Sequence, residues 1–252
     1  MAKGVMANQG QAGPIRLARR TADRVLVTLF GPRWLQFRAR RVWDRHARTR
    51  SLEATSSHDA SDADTYWRSG QRDWGLVLAV ANKAGLQARG SVIEIGCGLG
   101  RLTKLAAADF SRVIGVDVSP EMLRQARIQA NAANISYELV GGDGRIPAAG
   151  DSIDLVYAWT VFRHMSKEMF GRYLDEARRV LKPGGCLAYE ALIRETGARA
   201  DPSTSDPDTE REYASGELED YAHRHGYEWA ADQVIPSLTA GTHNLVIAWR
   251  KR

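Results

Sequence analysis

The sequence predicts an α/β fold: a doubly wound, mostly parallel seven-stranded sheet with one antiparallel terminal strand, helices on both faces and a helical N-terminal extension. Three observations predict it. From Trp67 onward, short β-rich runs alternate with helical periodicities, the rhythm of βαβ units whose parallel strands need a crossover helix. A glycine-rich turn, Gly96-Cys97-Gly98-Leu99-Gly100, follows the first apolar strand. The last two apolar runs, 228–235 and 243–249, have no helix between them. They form a hairpin, so one of them runs against the rest.

Residues 1–13 are rich in Gly, Ala, Gln and Asn and are expected to be disordered. Between Ile15 and Phe30, Ile15, Ala18, Ala22, Val25 and Leu29 recur at helical spacing, with the arginines mostly on other faces. Gly31-Pro32 breaks the pattern. A second basic-aromatic stretch follows, with Trp34, Phe37, Arg38, Arg40, Arg41 and Trp43, and residues 55–64 read as a polar, acidic loop. The expected organisation is a basic extension over 1–65 and a main domain over 66–252. That domain starts with a helix over 71–84 and a strand over 91–95. Helix 101–108, strand 112–116, helix 120–133 and strand 135–140 come next. Strand 153–159, helix 166–181 and strand 186–192 lead into a polar insertion over 194–214, a length typical of lids or of disordered segments. Helix 216–225 precedes the hairpin.

Composition narrows the function classes. With 252 residues and 44% hydrophobic content, the chain can bury one full α/β core. Cys97 and Cys186 are the only cysteines, so neither a disulfide framework nor a zinc site is expected. No apolar run is long enough to span a membrane. The stretch Val25–Phe30 is too short and too closely preceded by arginine to act as a signal peptide, so a cytoplasmic setting is expected. Residues 1–50 hold eleven arginines and one lysine against two aspartates, a net +10; the whole chain carries +5, so residues 51–252 sum to −5. The basic character therefore belongs to the extension.

The glycine-rich turn points to a nucleotide-like cofactor. A strand turning sharply into a helix needs glycine where φ is positive and where a ligand touches backbone. A dinucleotide fingerprint counted from Gly96 requires glycine at 101, where Arg101 stands. Downstream, Val113-Ile-Gly-Val-Asp117 ends a strand in an acid 21 positions beyond Gly96, and Ser119-Pro120-Glu121 opens a helix as N-cap, first-turn proline and dipole-favoured acid.

Glu94-x-Gly96-x-Gly98-x-Gly100 resembles the first motif of the class I, Rossmann-like methyltransferases that use S-adenosylmethionine (SAM), here of the small-molecule type. The resemblance implies that this turn, Cys97 included, wraps the methionine part of SAM. Glu94 then orients the turn or holds the amino group. The second motif of the family is matched by Val113–Leu123, which implies that Asp117 accepts both ribose hydroxyls, with Val118 and Met122 beside the cofactor. Gly142-Asp143-Gly144 matches the place where a family acid accepts from the adenine amino group, although a simple turn reads equally well from Asp-Gly. Asp151–Thr160, with Trp159 counted as cofactor-binding, is similar to the fourth strand, at whose end the acceptor sits. Ala177–Cys186 resembles the helix stop before strand five.

The implied chemistry is methyl transfer with S-adenosylhomocysteine as product. A hydroxyl acceptor needs its proton removed, and His164, just after the fourth strand, is the first candidate for the base. Glu190, near the end of strand five, is the second candidate acid or base. Arg163 holds an anionic group of the acceptor or is solvated. Tyr66 and Trp67 close over the cofactor or pack in the core, and Cys97 packs under the turn. No (Asp/Asn/Ser)-Pro-Pro-(Tyr/Phe) motif follows strand four, Cys186 lies at a strand start, and Thr160 stands where metal-dependent relatives carry an acid. Nucleic acid is therefore disfavoured and no metal is predicted. The expected function is methylation of a small molecule, by preference at a hydroxyl of a sugar, glycoside or other specialised metabolite. N- or C-methylation of a small molecule or lipid, and a SAM-binding regulatory or scaffold protein without turnover, are the alternatives. The basic arm folds over the acceptor pocket or onto a second subunit, lies on an anionic membrane, binds nucleic-acid phosphate, or is solvated; the first reading is preferred.

Overall fold

The computed structural model describes residues 29, 31–55, 62–141, 143–194, 210–214, 216–237 and 242–252. Residues 1–13, most of the helix expected over 15–30, most of the 55–64 loop and the 194–214 insertion, and Gly142 lie outside them.

Helices α1 (Pro32–Thr49), α2 (Ser51–Ala54) and α3 (Ala63–Lys83) precede the sheet. Strand β1 (Ser91–Ile95) is followed by α4 (Arg101–Asp109), β2 (Arg112–Asp117), α5 (Pro120–Gln129), β3 (Ile135–Leu139) and β4 (Ile153–Ala158). A 3₁₀ turn (Phe162–His164), α6 (Lys167–Val180), β5 (Leu181–Arg194), β6 (Glu212–Tyr213), α7 (Glu217–Arg224), β7 (Tyr227–Pro236) and β8 (Thr242–Lys251) complete the chain.

The strand order is β3-β2-β1-β4-β5-β8-β7, with the two-residue β6 added beside β5. Strands β1 to β5 pair in parallel. β8 is the antiparallel strand, slotted between β5 and β7. The central strands are apolar on both sides, as parallel strands covered by helices must be. Trp74, Val77 and Val80 of α3 and Leu102 and Ala106 of α4 pack on one face with Val92, Val113 and Leu155. Phe170, Tyr173 and Leu174 of α6 and Leu218 and Tyr221 of α7 pack on the other with Ile93, Ile114 and Tyr189.

Four boundaries differ from the sequence reading. α3 starts at Ala63, eight residues early and across the 65/66 boundary, because the Asp62 carboxylate accepts from the Thr65 N–H at 2.8 Å and Tyr66, Gly70 and Asp73 are buried. α5 ends at Gln129, not 133: Asn134 donates to the carbonyls of Ala107 and Phe110, which draws the chain back toward α4. β5 begins at Leu181, which pairs with Ile153 ahead of a register irregularity. β6 comes from the expected insertion and pairs with β5; two residues carry no periodicity to read.

The extension does not stand apart from the domain. α1 crosses from α6 to α5 above the carboxyl ends of the strands. Its Leu35 joins the α6-side core, and its Ala47 joins Tyr66, Leu99 and Met122. Gln36 Nε2 donates to the Tyr173 hydroxyl at 3.2 Å, and Gln125 Nε2 donates to the Ala47 carbonyl at 2.8 Å. The Asp44 carboxylate accepts from the Ser119 hydroxyl at 2.5 Å and from the Glu121 N–H at 3.3 Å. Asp44→Ala is expected to cost about 1–2 kcal/mol and to speed protease cleavage within 32–49. Equal cleavage rates would mean that α1 is held by its apolar contacts alone.

Candidate functional site

The site lies where β1, β2 and β4 end, as open α/β sheets dictate. The N–H groups of Gly96 and Cys97 donate to the Val116 carbonyl at 2.7 and 3.0 Å, so the glycine-rich turn folds against the end of β2. Gly96 and Gly98 have φ of +69° and +53°. A Cβ on Gly96 would meet Val161 Cγ2 at 2.5 Å, and one on Gly98 would meet Thr55 Cγ2 at 2.9 Å. Both positions thus require glycine for conformation and for space. Gly100 is the left-handed N-cap residue of α4. Cys97 is buried with Leu123, Ala126 and Tyr137, beneath the turn.

Two buried carboxylates organise the cradle. Asp117, 7% exposed, accepts from the Gly98 N–H at 3.0 Å through one oxygen and from the Ser119 N–H at 2.8 Å through the other. Burial pushes its carboxyl up to about 6, against these N–H bonds. Glu94 accepts from the Tyr157 hydroxyl at 3.0 Å and from the Thr103 hydroxyl. Burial lifts it to about 7, the two hydroxyls opposing.

A cavity opens above this cradle and encloses about 1060 Å³ of empty space, its mouth included. Glu94, Gly96, Cys97, Gly98, Asp117, Val118, Met122 and Trp159 all line it, as does His164. Gly100, Asp143, Gly144 and Glu190 do not. Asp143 is exposed, and its carboxylate accepts from the Arg145 N–H at 3.1 Å. Gly144 is buried, and a Cβ on it would meet Gln36 Nε2 at 3.1 Å.

His164 is delivered by the 3₁₀ turn after β4. Its neighbours anchor the turn on the far side: Phe162 packs against Phe170 and Tyr189, with centroids 5.0 and 5.4 Å away. Arg163, read from the sequence as solvated or holding an acceptor, is buried instead. It pairs with Glu190 and with Glu210 at 2.9 Å, and donates to Asn244 Oδ1 at 2.7 Å. Burial works against its charge, and the two carboxylates outweigh it, so its pKa is raised. Burial lifts Glu190 to about 6, with Arg163 pulling the other way. Ser166 caps α6, its hydroxyl accepting from the Met169 N–H at 3.2 Å. Tyr66 lines the cavity while Trp67 does not.

Several lining residues escape a sequence reading. Arg101 is buried and pairs with Asp73 at 2.6 Å under the Tyr66 ring; in the sequence it only spoils a dinucleotide fingerprint. α1 supplies Leu35, Gln36, Ala39 and Trp43 as the roof, and the Trp43 ring meets the His164 ring edge-on, centroids 5.5 Å apart. Nothing local in the sequence pairs position 43 with 164. Thr160 and Met165 also face the cavity, Thr160 at a φ of +57°, a value that β-branched residues rarely adopt.

Residues 92–185 match the family model described as a methyltransferase domain. This segment is a class I, SAM-dependent methyltransferase domain. The chain is 33% identical over 125 residues to demethylmenaquinone methyltransferase of Tropheryma whipplei, covering 49% of this chain and 47% of that one. It is 32% identical over 134 residues to tRNA U34 carboxymethyltransferase of Cellvibrio japonicus, covering 52% and 40%. It thus spans about half or less of these relatives' length. Among solved structures, the [4+2]-cyclase SpnF is similar with a TM-score of 0.64 at 17% identity, over 84% of this chain and 94% of that one; that likeness concerns the fold.

The methyltransferase domain's cofactor is SAM, and the lining fits it. Each Asp117 oxygen uses one acceptor position on backbone and keeps another, as a pair of ribose hydroxyls requires. Glu94 offers a carboxylate to a cationic amino group. Among the described residues no cluster of His, Cys, Asp and Glu could hold a metal ion.

Glu94 yields a test of the cradle's electrostatics. Its folded value of about 7 lies above the ordinary glutamate value of 4.5, so the folded chain holds the proton longer than the unfolded one. Stability without ligand must then fall as pH rises from about 4.5 to 7, by on the order of 3 kcal/mol. Glu94→Gln keeps both hydroxyl bonds and has no proton to lose. Its thermal midpoint is expected to decline clearly less than the parent's between pH 6 and 7, the residual slope coming from Asp117 and Glu190, which burial also lifts, to about 6. A decline of equal size in both would refute the assignment.

Proposed function

We propose that this chain transfers the methyl group of SAM to a hydroxyl of a small molecule with a largely apolar body. The observation that carries the reading is the place of His164: it faces a cavity floored by the cofactor cradle and roofed by α1. The wall around it is mainly apolar, with Leu35, Ala39, Trp43, Val161, Met165 and Met169. Such a wall stabilises an apolar body by burial. Gln36, Thr160, Ser166 and Tyr173 add polar groups to the lining, but apolar side chains outnumber them, so a hydroxylated specialised metabolite with an aromatic or polycyclic body suits it better than a bare sugar.

SAM, when bound, supplies a methyl group on a sulfonium. The chain's own residues supply position and a place for the proton. The glycine-rich turn and Asp117 fix the cofactor, and the roof excludes water. An imidazole nitrogen of His164 takes the acceptor's hydroxyl proton as the oxygen attacks. Phe162 and Arg163, pinned behind it, hold the turn that presents His164.

Calorimetry with S-adenosylhomocysteine is expected to give micromolar binding that Asp117→Ala abolishes. In a screen of hydroxylated apolar metabolites, His164→Ala is expected to lower kcat by about a hundredfold or more, with S-adenosylhomocysteine affinity nearly unchanged. Full turnover in that variant would remove the base role. Tight cofactor binding with no acceptor turned over would favour a SAM-binding protein without turnover.

A further inference from the structure

Helix α1 has two faces of opposite character. The inner face carries Leu35, Gln36, Ala39 and Trp43 into the cavity. The outer face, half a turn away, carries Arg33, Phe37, Arg41 and Arg48, all exposed. Phe37 is 47% exposed and the Arg41 guanidinium lies 5.7 Å from its ring centroid. Trp34 packs beside Phe37, centroids 5.6 Å apart. Just ahead of the helix, Leu29 is 68% exposed. The acid in this helix, Asp44, is turned onto Ser119 and the start of α5. Residues 1–50 as a whole carry +10, while the remainder carries −5.

We propose that the outer face of α1 docks the chain onto an anionic lipid bilayer. Arginine guanidinium groups meet lipid phosphates, while Phe37 and Leu29 enter the boundary between headgroups and acyl chains. Phosphate alone explains the arginines but not the exposed Phe37 set among them, nor the exposed Leu29 just ahead of the helix. A nucleic acid gains nothing from the aliphatic side chain, and a bilayer uses both kinds. The net −5 on residues 51–252 favours turning this face, and not the rest of the chain, toward an anionic surface. Docking places the roof of the cavity against the membrane, where apolar molecules accumulate. The proposal stands whichever atom is methylated.

The experiment is co-sedimentation of the full chain with phosphatidylcholine vesicles and with vesicles containing about 30% phosphatidylglycerol. Binding to the anionic vesicles alone is expected, with release at about 0.5 M salt as charges are screened. Each arginine is expected to contribute about fivefold in affinity, so Arg33→Ala/Arg41→Ala/Arg48→Ala binds about a hundredfold more weakly. Phe37→Ala binds about tenfold more weakly with the salt dependence kept. None of these side chains belongs to the cofactor cradle, and the lipid-charge and salt dependence of the unmodified chain decides the matter without any variant. No sedimentation with anionic vesicles, equal binding to neutral ones, or undiminished binding of the triple variant would overturn the proposal. Tighter binding to an RNA duplex at matched phosphate concentration would overturn it in favour of nucleic acid.

Discussion

The two oxygens of the Asp117 carboxylate hold the N–H groups of Gly98 and Ser119, and the geometry of the site hangs on that joint. One bond fixes the glycine-rich turn leaving β1; the other fixes the start of α5. Ser119 extends the joint outward, since its hydroxyl caps α5 through the Met122 N–H and donates to Asp44 of α1. Three segments far apart in sequence therefore meet around one buried acid. Burial alone would protonate that acid more readily than water does; the N–H donors hold the rise to a moderate one. A ligand that adds two further hydroxyl donors favours the charged form again, so the joint is strengthened by the group it binds.

A second constraint acts at the end of β4. The chain must turn there without closing the cavity. Thr160 accepts a left-handed backbone, and the next residues are pinned from behind by an aromatic cluster and by the Arg163–Glu190 pair. Such a buried pair is expensive to desolvate, and Glu210 and Asn244 share the guanidinium. The result is a short turn with one histidine left facing the cavity. Glu190, chemically suited to acid–base work, is thereby committed to Arg163. It shapes the turn without lining the cavity.

Helix α1 links these two constraints. It touches the Asp117 joint through Asp44 and the His164 turn through Trp43. The basic extension thus closes the site, in keeping with the preferred reading of its sequence. Apart from Gln36, which is tied to Tyr173, its inner residues are small or apolar where they meet the cavity, and its arginines are left outside, where no core demands their burial.

The sequence by itself determined the alternating fold, the parallel sheet with its antiparallel hairpin strand, and the glycine-rich turn with the acid that ends the next strand. The reason is that these are local: a strand, a glycine turn and a terminal acid lie within a few residues of each other, and glycine is legible because a Cβ is excluded at Gly96. Ser119, Pro120 and Glu121 were legible for the same reason, as a helix start obeys short-range rules. Only the tertiary structure decided what is assembled across long separations. The Arg101–Asp73 pair, the burial of Arg163, the strand at Glu212–Tyr213 and the contact of Trp43 with His164 join elements whose spacing carries no periodic signal. The early start of α3 and the roof of α1 depend likewise on packing against the finished sheet. Charge and hydropathy assign such segments a character; the surface they meet assigns them a place.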